Sequence, residues 1–300
     1  MRSKLFLCVS AICFFISCNQ DKSTVQETPT ITQEIKVEVP EEVPQEVVMV
    51  DTVVEKVEPK VEKKKIVKKE VKKEVKKPVV KAELTSTQHR NIYAKLLKKY
   101  VSSDGKVNYQ GLLAEKDKLV AYTQKSVKYL PSSSASRSKK MAYWINMYNA
   151  HMILAVLNKY PILSPMDLAG GKIWDQPMVK IGVELLTLND VEHEMLRKKF
   201  KDPRIHFAVN CAAKSCPPLS NKVWTAGNLE SQLEKSTKKF VNDPTHNSIS
   251  AGEVKLSKIF EWYKGDFGDL LTYIKKYSDT EIGADAVLSF NEYNWNLNKN

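Results

Sequence analysis

Hydrophobic residues are distributed unevenly along the chain, and their spacing predicts both helices and strands. The segment 140–157 is apolar on nearly every face, and a helix that lacks a polar stripe is a buried one. Apolar residues at helical spacing predict further helices over 87–100, 110–130, 189–200, 228–241 and 257–277. Short apolar or alternating segments predict strands over 106–109, 178–188 (a hairpin), 204–210, 252–256 and 287–297. Because these elements follow no regular βαβ order, the predicted fold class is α+β, with helices packed on a small antiparallel sheet.

The first 17 residues have a different pattern. A basic start with Arg2 and Lys4 precedes an apolar run over 5–16, and Ser17 stands directly before Cys18. We interpret 1–17 as a secretory signal peptide, which is too short to span a membrane as a mature helix. It resembles a bacterial lipoprotein signal, in which Cys18 becomes the lipidated first residue; an ordinary cleaved signal is the alternative. The protein is therefore expected to be exported and lipid-anchored to a bacterial membrane, with the outer membrane favoured.

Segment 18–84 contains no aromatic residue and no glycine, so it has little apolar surface to bury and is predicted to stay extended or disordered. Ten acids and four lysines between 21 and 60 give −6, whereas ten lysines and three glutamates between 61 and 82 give +7. We interpret 18–84 as a tether to a globular domain over 85–300. Its lysine-rich part suits an anionic envelope polymer or lipid headgroups, and a solvated spacer is the alternative. Nucleic acid is not an expected partner of an exported protein.

The five cysteines reduce to two in the predicted domain. Cys8 and Cys13 leave with the signal peptide and Cys18 carries the lipid, so only Cys211 and Cys216 remain. An exported compartment is oxidising, which allows this pair to form a disulfide. The pair is also compatible with a thiol site.

Few motifs indicate chemistry: the sequence has no G-x-S-x-G, Walker loop, H-E-x-x-H or G-x-G-x-x-G. Cys211 follows the predicted strand 204–210 in a loop of small residues, where a thiol is open to substrate. A catalytic thiol needs a histidine to generate the thiolate and a third group to hold the imidazole ring. Since side chains alternate along a strand, His206 and Cys211 point to opposite faces. His193, on the preceding helix, is therefore the predicted base.

Two buried asparagines and one glutamate each have two interpretations. Asn146 and Asn149 share one side of the predicted buried helix, and a buried amide without a hydrogen bond costs about 1–3 kcal/mol. Both amides either hold the backbone of a neighbouring loop or line a site. Glu192 either forms a capping box with Asn189 at the start of its helix or belongs to the site.

Three other interpretations of the cysteine pair stay open on the residues alone. A disulfide between Cys211 and Cys216 would close a six-residue loop and leave a non-catalytic binding module at the envelope. A zinc site could use both cysteines with His193 and His206, although the C-x-x-x-x-C spacing is loose for zinc. Both cysteines could also be buried small residues, which is the fate of most free cysteines.

Four motifs, in order, resemble the domain-of-unknown-function 547 family. They are YWINMYNA (143–150), LNDVEHEMLR (188–197), DPRIHFAVNC through CPPL (202–219) and YNWNLN (293–298). The resemblance covers nearly all of 104–298. It implies a papain-like or transglutaminase-like domain with a cysteine, a histidine and an acidic residue, here Cys211, His193 and Glu192. Because neighbouring residues on a helix point about 100° apart, Glu192 and His193 cannot easily bond each other, and one of these roles falls to His206 or an asparagine.

The expected function is a thiol-dependent hydrolase or acyltransferase acting on peptide or amide substrates. Cys211 would attack the carbonyl and His193 would take its proton, while Glu192 or Asn149 orients the ring or polarises the oxyanion. The residues expected to contact the substrate are Asn146, Arg197 and Cys216. No metal ion or other cofactor is expected.

Overall fold

The structure of the protein is a computed structural model that describes residues 83–300. The predicted signal peptide, the lipidation site Cys18 and nearly all of the predicted tether lie outside the described residues. None of the helices within 83–300 is long and apolar enough to cross a membrane.

Helices make up most of the described chain. Besides five short 3₁₀-helices, they are α1 (Ser86–Tyr100), α2 (Tyr109–Leu113), α3 (Lys116–Ser126), α4 (Arg137–Lys159), a π-helix (Asp190–Arg197), α5 (Lys198–Phe200), α6 (Leu229–Val241), α7 (Lys258–Trp262), α8 (Lys264–Phe267) and α9 (Leu270–Tyr277). The predicted buried helix is α4, in which 15 of 23 residues are buried. Ser136 begins it by accepting a hydrogen bond from the backbone N–H of Lys139 at 3.2 Å, which satisfies one free donor of the first turn.

Five short strands form two small sheets within the described residues: β1 (Val179–Ile181), β2 (Glu184–Leu186), β3 (Ser248–Ile249), β4 (Glu253–Leu256) and β5 (Val287–Phe290). The predicted hairpin is the antiparallel pair β1–β2. In the second sheet β4 pairs with β3 antiparallel and with β5 parallel. The α+β class is thus confirmed, but the prediction of a purely antiparallel sheet is wrong. The helices α7–α9 connect β4 to β5, and such a helical crossover returns the chain in the parallel direction.

The prediction of a strand over 204–210 is wrong. Pro203–Phe207 is a 3₁₀-helix, which begins where the Asp202 carboxylate accepts a hydrogen bond from the backbone N–H of Arg204 at 3.1 Å. Proline at the first helical position favours this start, because a backbone N–H at that position would have no partner within the helix and proline has none. Ala208 follows as a turn, and residues 209–211 belong to no strand.

Three other predicted elements are shorter than expected. The helix over 257–277 is divided into α7, α8 and α9, and Gly268 between the last two has φ +67°, a conformation that favours glycine. The strand over 287–297 ends at Phe290. The strand over 106–109 is reduced to isolated bridges of Val107, after which α2 begins.

The 3₁₀-helix lies between two hydrophobic clusters. Ile205 packs into the larger cluster, which surrounds α4, and Phe207 packs into a smaller cluster with Phe240 and Phe260 from α6 and α7. Because its neighbours on both sides are fixed in separate clusters, His206 is held where the two clusters meet.

Segment 293–298 returns from the second sheet to the loop that carries the cysteines. Lys214 donates its backbone N–H to Asn296 at 2.7 Å, and Asn298 donates its own to Ala212 at 2.9 Å. The segment therefore adds its side chains to the surroundings of Cys211 and Cys216.

Candidate functional site

The loop of the two cysteines opens into a pocket of about 340 Å³, which we call the central pocket. It is lined by Tyr148, Trp174, Asp175, Asn189, Glu192, His206, Val209, Cys211, Cys216, Pro217, Ile259, Trp262, Tyr263, Tyr293 and Trp295. A mostly apolar concave surface with a few polar groups is the usual form of a ligand site. Of the predicted site residues, it brings together Cys211, Cys216, His206 and Glu192.

Asn149 on α4 holds the loop that precedes Cys211. Its side-chain nitrogen donates to the carbonyl of Ala208 at 2.8 Å, and its oxygen accepts from the backbone N–H of Asn210 at 2.9 Å. The side-chain oxygen of Asn210 in turn accepts from the backbone of Ala212 at 2.9 Å. Asn149 is 2 % exposed. Of its two interpretations, the structure therefore supports the first, an amide that holds the backbone of a neighbouring loop.

Asn146 has the same role at another loop. Its amide accepts from the backbone N–H of Trp224 at 3.0 Å and donates to the carbonyl of that residue at 2.8 Å. It lines a separate small cavity of about 70 Å³ beside His89. The structure therefore does not bring Asn146 into the central pocket.

Cys211 and Cys216 form a disulfide with an S–S distance of 2.00 Å. The backbone N–H of Cys211 also donates to the sulfur of Cys216 at 2.8 Å. The hydroxyl of Tyr293 lies 3.1 Å from the sulfur of Cys211 and 3.2 Å from that of Cys216. Burial raises the pKa of Tyr293, so its hydroxyl keeps its proton at neutral pH and faces the two sulfurs as a donor.

His206 lines the central pocket and is 2 % exposed. Its Nε2 bonds the Asp266 carboxylate at 2.7 Å, and its ring stacks on Tyr263 with 4.0 Å between centroids. The hydrogen bonds from His206 and Arg197 hold the pKa of the Asp266 carboxyl well below its usual value, although partial burial opposes this. With Nε2 engaged, Nδ1 is the ring nitrogen that remains for a proton transfer.

His193 is not among the residues that line the central pocket. Nη1 of Arg197 donates to Nδ1 of His193 at 3.0 Å, and both residues line a second cavity of about 460 Å³. Arg197 also forms a two-point ion pair with Asp266, at 2.6 and 3.1 Å. The structure therefore does not bring His193 together with Cys211. The argument that excluded His206 fails because it assumed a strand at this position.

Glu192 lines the central pocket and is 5 % exposed. Its predicted capping box with Asn189 is wrong. The helix starts instead with a box between Thr187 and Asp190, in which the Asp190 backbone N–H donates to the threonine hydroxyl at 2.9 Å and the Thr187 backbone N–H donates to the carboxylate at 2.8 Å. Glu192 is two positions beyond Asp190 and takes no part in that box, so its carboxylate is free to line the pocket.

The negative charge of Glu192 acts on the surrounding phenols. Burial first, and then this charge, raises the pKa values of Tyr148, Tyr263 and Tyr293. The carboxylate is therefore ringed by neutral hydroxyl groups. Eight-residue π-helices such as the one that carries Glu192 are rare, and π-helical turns occur frequently at functional sites.

Several site residues were not predicted from the sequence. Asp266 stands in an Asp-Phe-Gly string that has no supporting kinase motif, and its neighbour Tyr263 has the spacing of a core residue. The pairs Trp262-Tyr263 and Tyr293…Trp295 carry a usable signal, because such dense aromatic residues in short loops and helix ends often mark recognition surfaces. Trp262 is 47 % exposed, which agrees with this.

A zinc site at the cysteines is not supported. The sulfurs are bonded to each other, and His193 faces the second cavity. Among residues 83–300, no three His, Cys, Asp or Glu side chains converge as metal ligands.

A family described as "Protein of unknown function, DUF547" matches the chain over residues 132–241. This stretch contains α4, the π-helix and both cysteines, and it supports the resemblance found in the sequence. Segment 293–298 lies outside the match. No curated protein and no solved structure matches the chain.

Proposed function

We propose that the protein is a thiol-dependent hydrolase or acyltransferase that acts on peptide or amide bonds, with Cys211 as nucleophile, His206 as base and Asp266 as the residue that positions the histidine. The observation that carries the proposal is the order of the three groups. Cys211 and His206 line one pocket, and Asp266 binds Nε2 of the imidazole at 2.7 Å, which leaves Nδ1 for a proton. A nucleophile, a base beside it and a carboxylate that orients the base form the arrangement that activates a thiol.

The disulfide is the resting form in this proposal. A dithiol reductant transfers two electrons to it, giving two free thiols and the oxidised reductant. The Cys211 thiol then passes its proton to Nδ1 of His206 as its sulfur bonds the substrate carbonyl carbon. When the C–N bond breaks, the imidazolium protonates the leaving amine. Water, or an acceptor amine, finally releases the acyl group and gives its proton to the same histidine.

The hydroxyl of Tyr293 is the donor that we assign to the oxyanion. It lies 3.1 Å from the sulfur of Cys211, and its raised pKa keeps it protonated. Asn149, the sequence-based candidate for this role, uses both amide groups on loop backbone. A donor placed where negative charge develops accelerates acyl transfer.

The proposal includes a papain-like or transglutaminase-like relationship and an exported, lipid-anchored location. The disulfide supports export, because such bonds persist in oxidising compartments. Lipid at Cys18 would fix the protein to the membrane, and the lysine-rich segment 61–82 would contact an anionic envelope polymer.

A second candidate function is a binding module without catalysis, and the disulfide favours it. With both sulfurs bonded, the central pocket still offers aromatic and acidic side chains to a ligand. The two candidates differ only in whether Cys211 becomes a thiol.

Hydrolysis of p-nitrophenyl acetate, an activated ester, tests the enzyme. Cys216→Ser leaves Cys211 as a free thiol, so this variant should release p-nitrophenol without reductant, whereas the wild type should need a dithiol. Cys211→Ser should be inactive in both conditions. In the Cys216→Ser background, His206→Gln should slow the acylation burst roughly 10²-fold or more, whereas His193→Gln should leave it nearly unchanged.

Equal rates for the Cys211→Ser protein and the reduced wild type would refute the proposal and leave the binding module. A loss of rate with His193→Gln but not with His206→Gln would refute the assignment of the base. Circular dichroism of each variant separates a loss of fold from a loss of chemistry.

A further inference from the structure

One side of the central pocket is a continuous aromatic surface, the aromatic wall (Trp174, Trp262, Tyr293 and Trp295). Trp295 contacts the other three rings, with centroid distances of 5.9 Å to Trp174, 6.0 Å to Trp262 and 4.6 Å to Tyr293. The rings of Trp262 and Tyr293 are 4.8 Å apart. The faces of such rings carry negative potential and attract a cation within about 6 Å.

The charged side chains that line the same pocket are acidic. Asp175 and Glu192 are among its lining residues, and no lysine or arginine is. This contrasts with a chain whose formal net charge is +12. The pocket thus has the opposite sign to the protein as a whole, which favours a positively charged ligand.

Glu192 is a buried carboxylate of this lining that lacks a positively charged partner nearby in the described part of the chain. It is 5 % exposed, yet the nearby guanidinium of Arg197 forms its ion pair with Asp266. Within 83–300, no lysine, arginine or histidine nitrogen lies within 4 Å of the Glu192 carboxylate. Opposite charges attract more strongly where protein excludes water, so Glu192 is the ion-pair partner that the pocket offers to an entering cation.

We propose that the central pocket binds the primary ammonium group of its ligand, with Glu192 as the ion-pair partner and the aromatic wall as the cation–π surface. The inference deepens the proposed function, because it names the charged group of the substrate: a side chain of the lysine type. A primary ammonium is favoured over a quaternary one, because its three N–H donors match the carboxylate and the tyrosine hydroxyls around it.

The quenching of tryptophan fluorescence measures this binding directly, since three tryptophans line the pocket. The full chain is used with its disulfide intact, and the probes are Nα-acetyl-lysine amide, the uncharged Nα-acetyl-norleucine amide and tetramethylammonium. The wild type should bind the lysine probe at least tenfold more tightly than the norleucine probe. Glu192→Gln should weaken binding of the lysine probe roughly 10- to 100-fold, as expected for a lost charged hydrogen bond.

Glu194→Gln is the matched control. Glu194 lies two residues further along the same helix, is exposed and pairs with Lys198 at 2.8 Å, so its replacement should leave the affinity unchanged. Trp262→Leu should weaken binding of the lysine probe several-fold and that of the norleucine probe less, because the lost ring face attracts a cation.

Equal affinity of the wild type for the lysine and norleucine probes would overturn the inference, even if Glu192→Gln failed to fold. Tetramethylammonium binding as tightly as the lysine probe would overturn the assignment of a primary ammonium. Because the disulfide stays intact, Cys211 takes no part in these measurements. Binding of the lysine probe by a protein that fails the ester assay would refute the proposed enzyme alone.

Discussion

Replacing Asn149 with alanine is the most direct test of how the cysteine loop is held. The side chain is 2 % exposed and makes two hydrogen bonds, to the carbonyl of Ala208 at 2.8 Å and from the backbone N–H of Asn210 at 2.9 Å. Alanine cannot make either bond. Both backbone groups stay buried, because Ala208 and Asn210 are themselves 4 % and 5 % exposed.

The expected loss of stability follows from those two groups. A buried donor or acceptor that loses its partner costs roughly 1–3 kcal/mol, so the loss of two should lower the free energy of unfolding of Asn149→Ala by roughly 2–6 kcal/mol. Domains of this kind are stable by about 5–15 kcal/mol in all. The variant should therefore fold, with a clearly lowered denaturation midpoint.

Urea denaturation followed by circular dichroism measures the effect, and α4 supplies both controls. Asn158 is exposed on the same helix, so Asn158→Ala should change stability by less than about 0.5 kcal/mol. Asn146→Ala removes an equivalent pair of bonds at Trp224, of 2.8 and 3.0 Å, and should cost about as much as Asn149→Ala. Only Asn149→Ala should speed amide hydrogen exchange at Asn210.

A destabilisation by Asn149→Ala no larger than that by Asn158→Ala would refute the reasoning. Faster amide hydrogen exchange at Asn210 in the Asn146→Ala protein would show that Asn146 and Asn149 do not hold their loops independently.

Three further predictions concern pH and helix capping. Asp266→Asn should destabilise the protein at pH 7 but less at pH 3, because a carboxyl whose folded pKa is lowered stabilises above its unfolded pKa of about 3.9 and loses that effect as pH falls; equal destabilisation in urea at both pH values would contradict this. Burial lowers the pKa of His89 to about 4, so the wild type should lose stability relative to His89→Phe as pH falls from 6.5 to 4. A melting temperature that falls equally with pH in the two proteins would refute this. Thr187→Ala should cost about 1 kcal/mol in urea denaturation by removing the box with Asp190, whereas Asn189→Ala should cost less; the reverse order would restore the capping role of Asn189.

The sequence predicts the parts of the fold that depend on local pattern. The apolar run of α4 predicts a buried helix, and the turn at Gly182 predicts the hairpin β1–β2. Local pattern does not decide between a strand and a 3₁₀-helix at 203–207, because Ile205 and Phe207 suit both. The difference comes from Pro203 and the Asp202 cap, which act on the first turn only.

That single element changes the predicted site. In a strand, residues five apart face opposite sides, which separates His206 from Cys211. In the 3₁₀-helix and turn, the same two residues line one pocket. Glu192 and Cys211 were predicted as site residues because of their chemistry, and they line that pocket too. Asp266 and Tyr293 could not be located, since nothing in a sequence of one chain indicates which distant carboxylate or phenol packs beside a given loop.

The return of segment 293–298 to the cysteine loop has a consequence for biosynthesis. Tyr293 and Trp295 form part of the pocket, and backbone bonds join this segment to 212–215. A nascent chain that has been made only as far as residue 292 has both cysteines and His206 but lacks the phenol that covers the sulfurs. Until segment 293–298 packs, the sulfurs lack the contact that the Tyr293 hydroxyl makes with both of them in the folded protein. Formation of the Cys211–Cys216 bond before the segment arrives would protect the chain from mixed disulfides while the pocket is still incomplete.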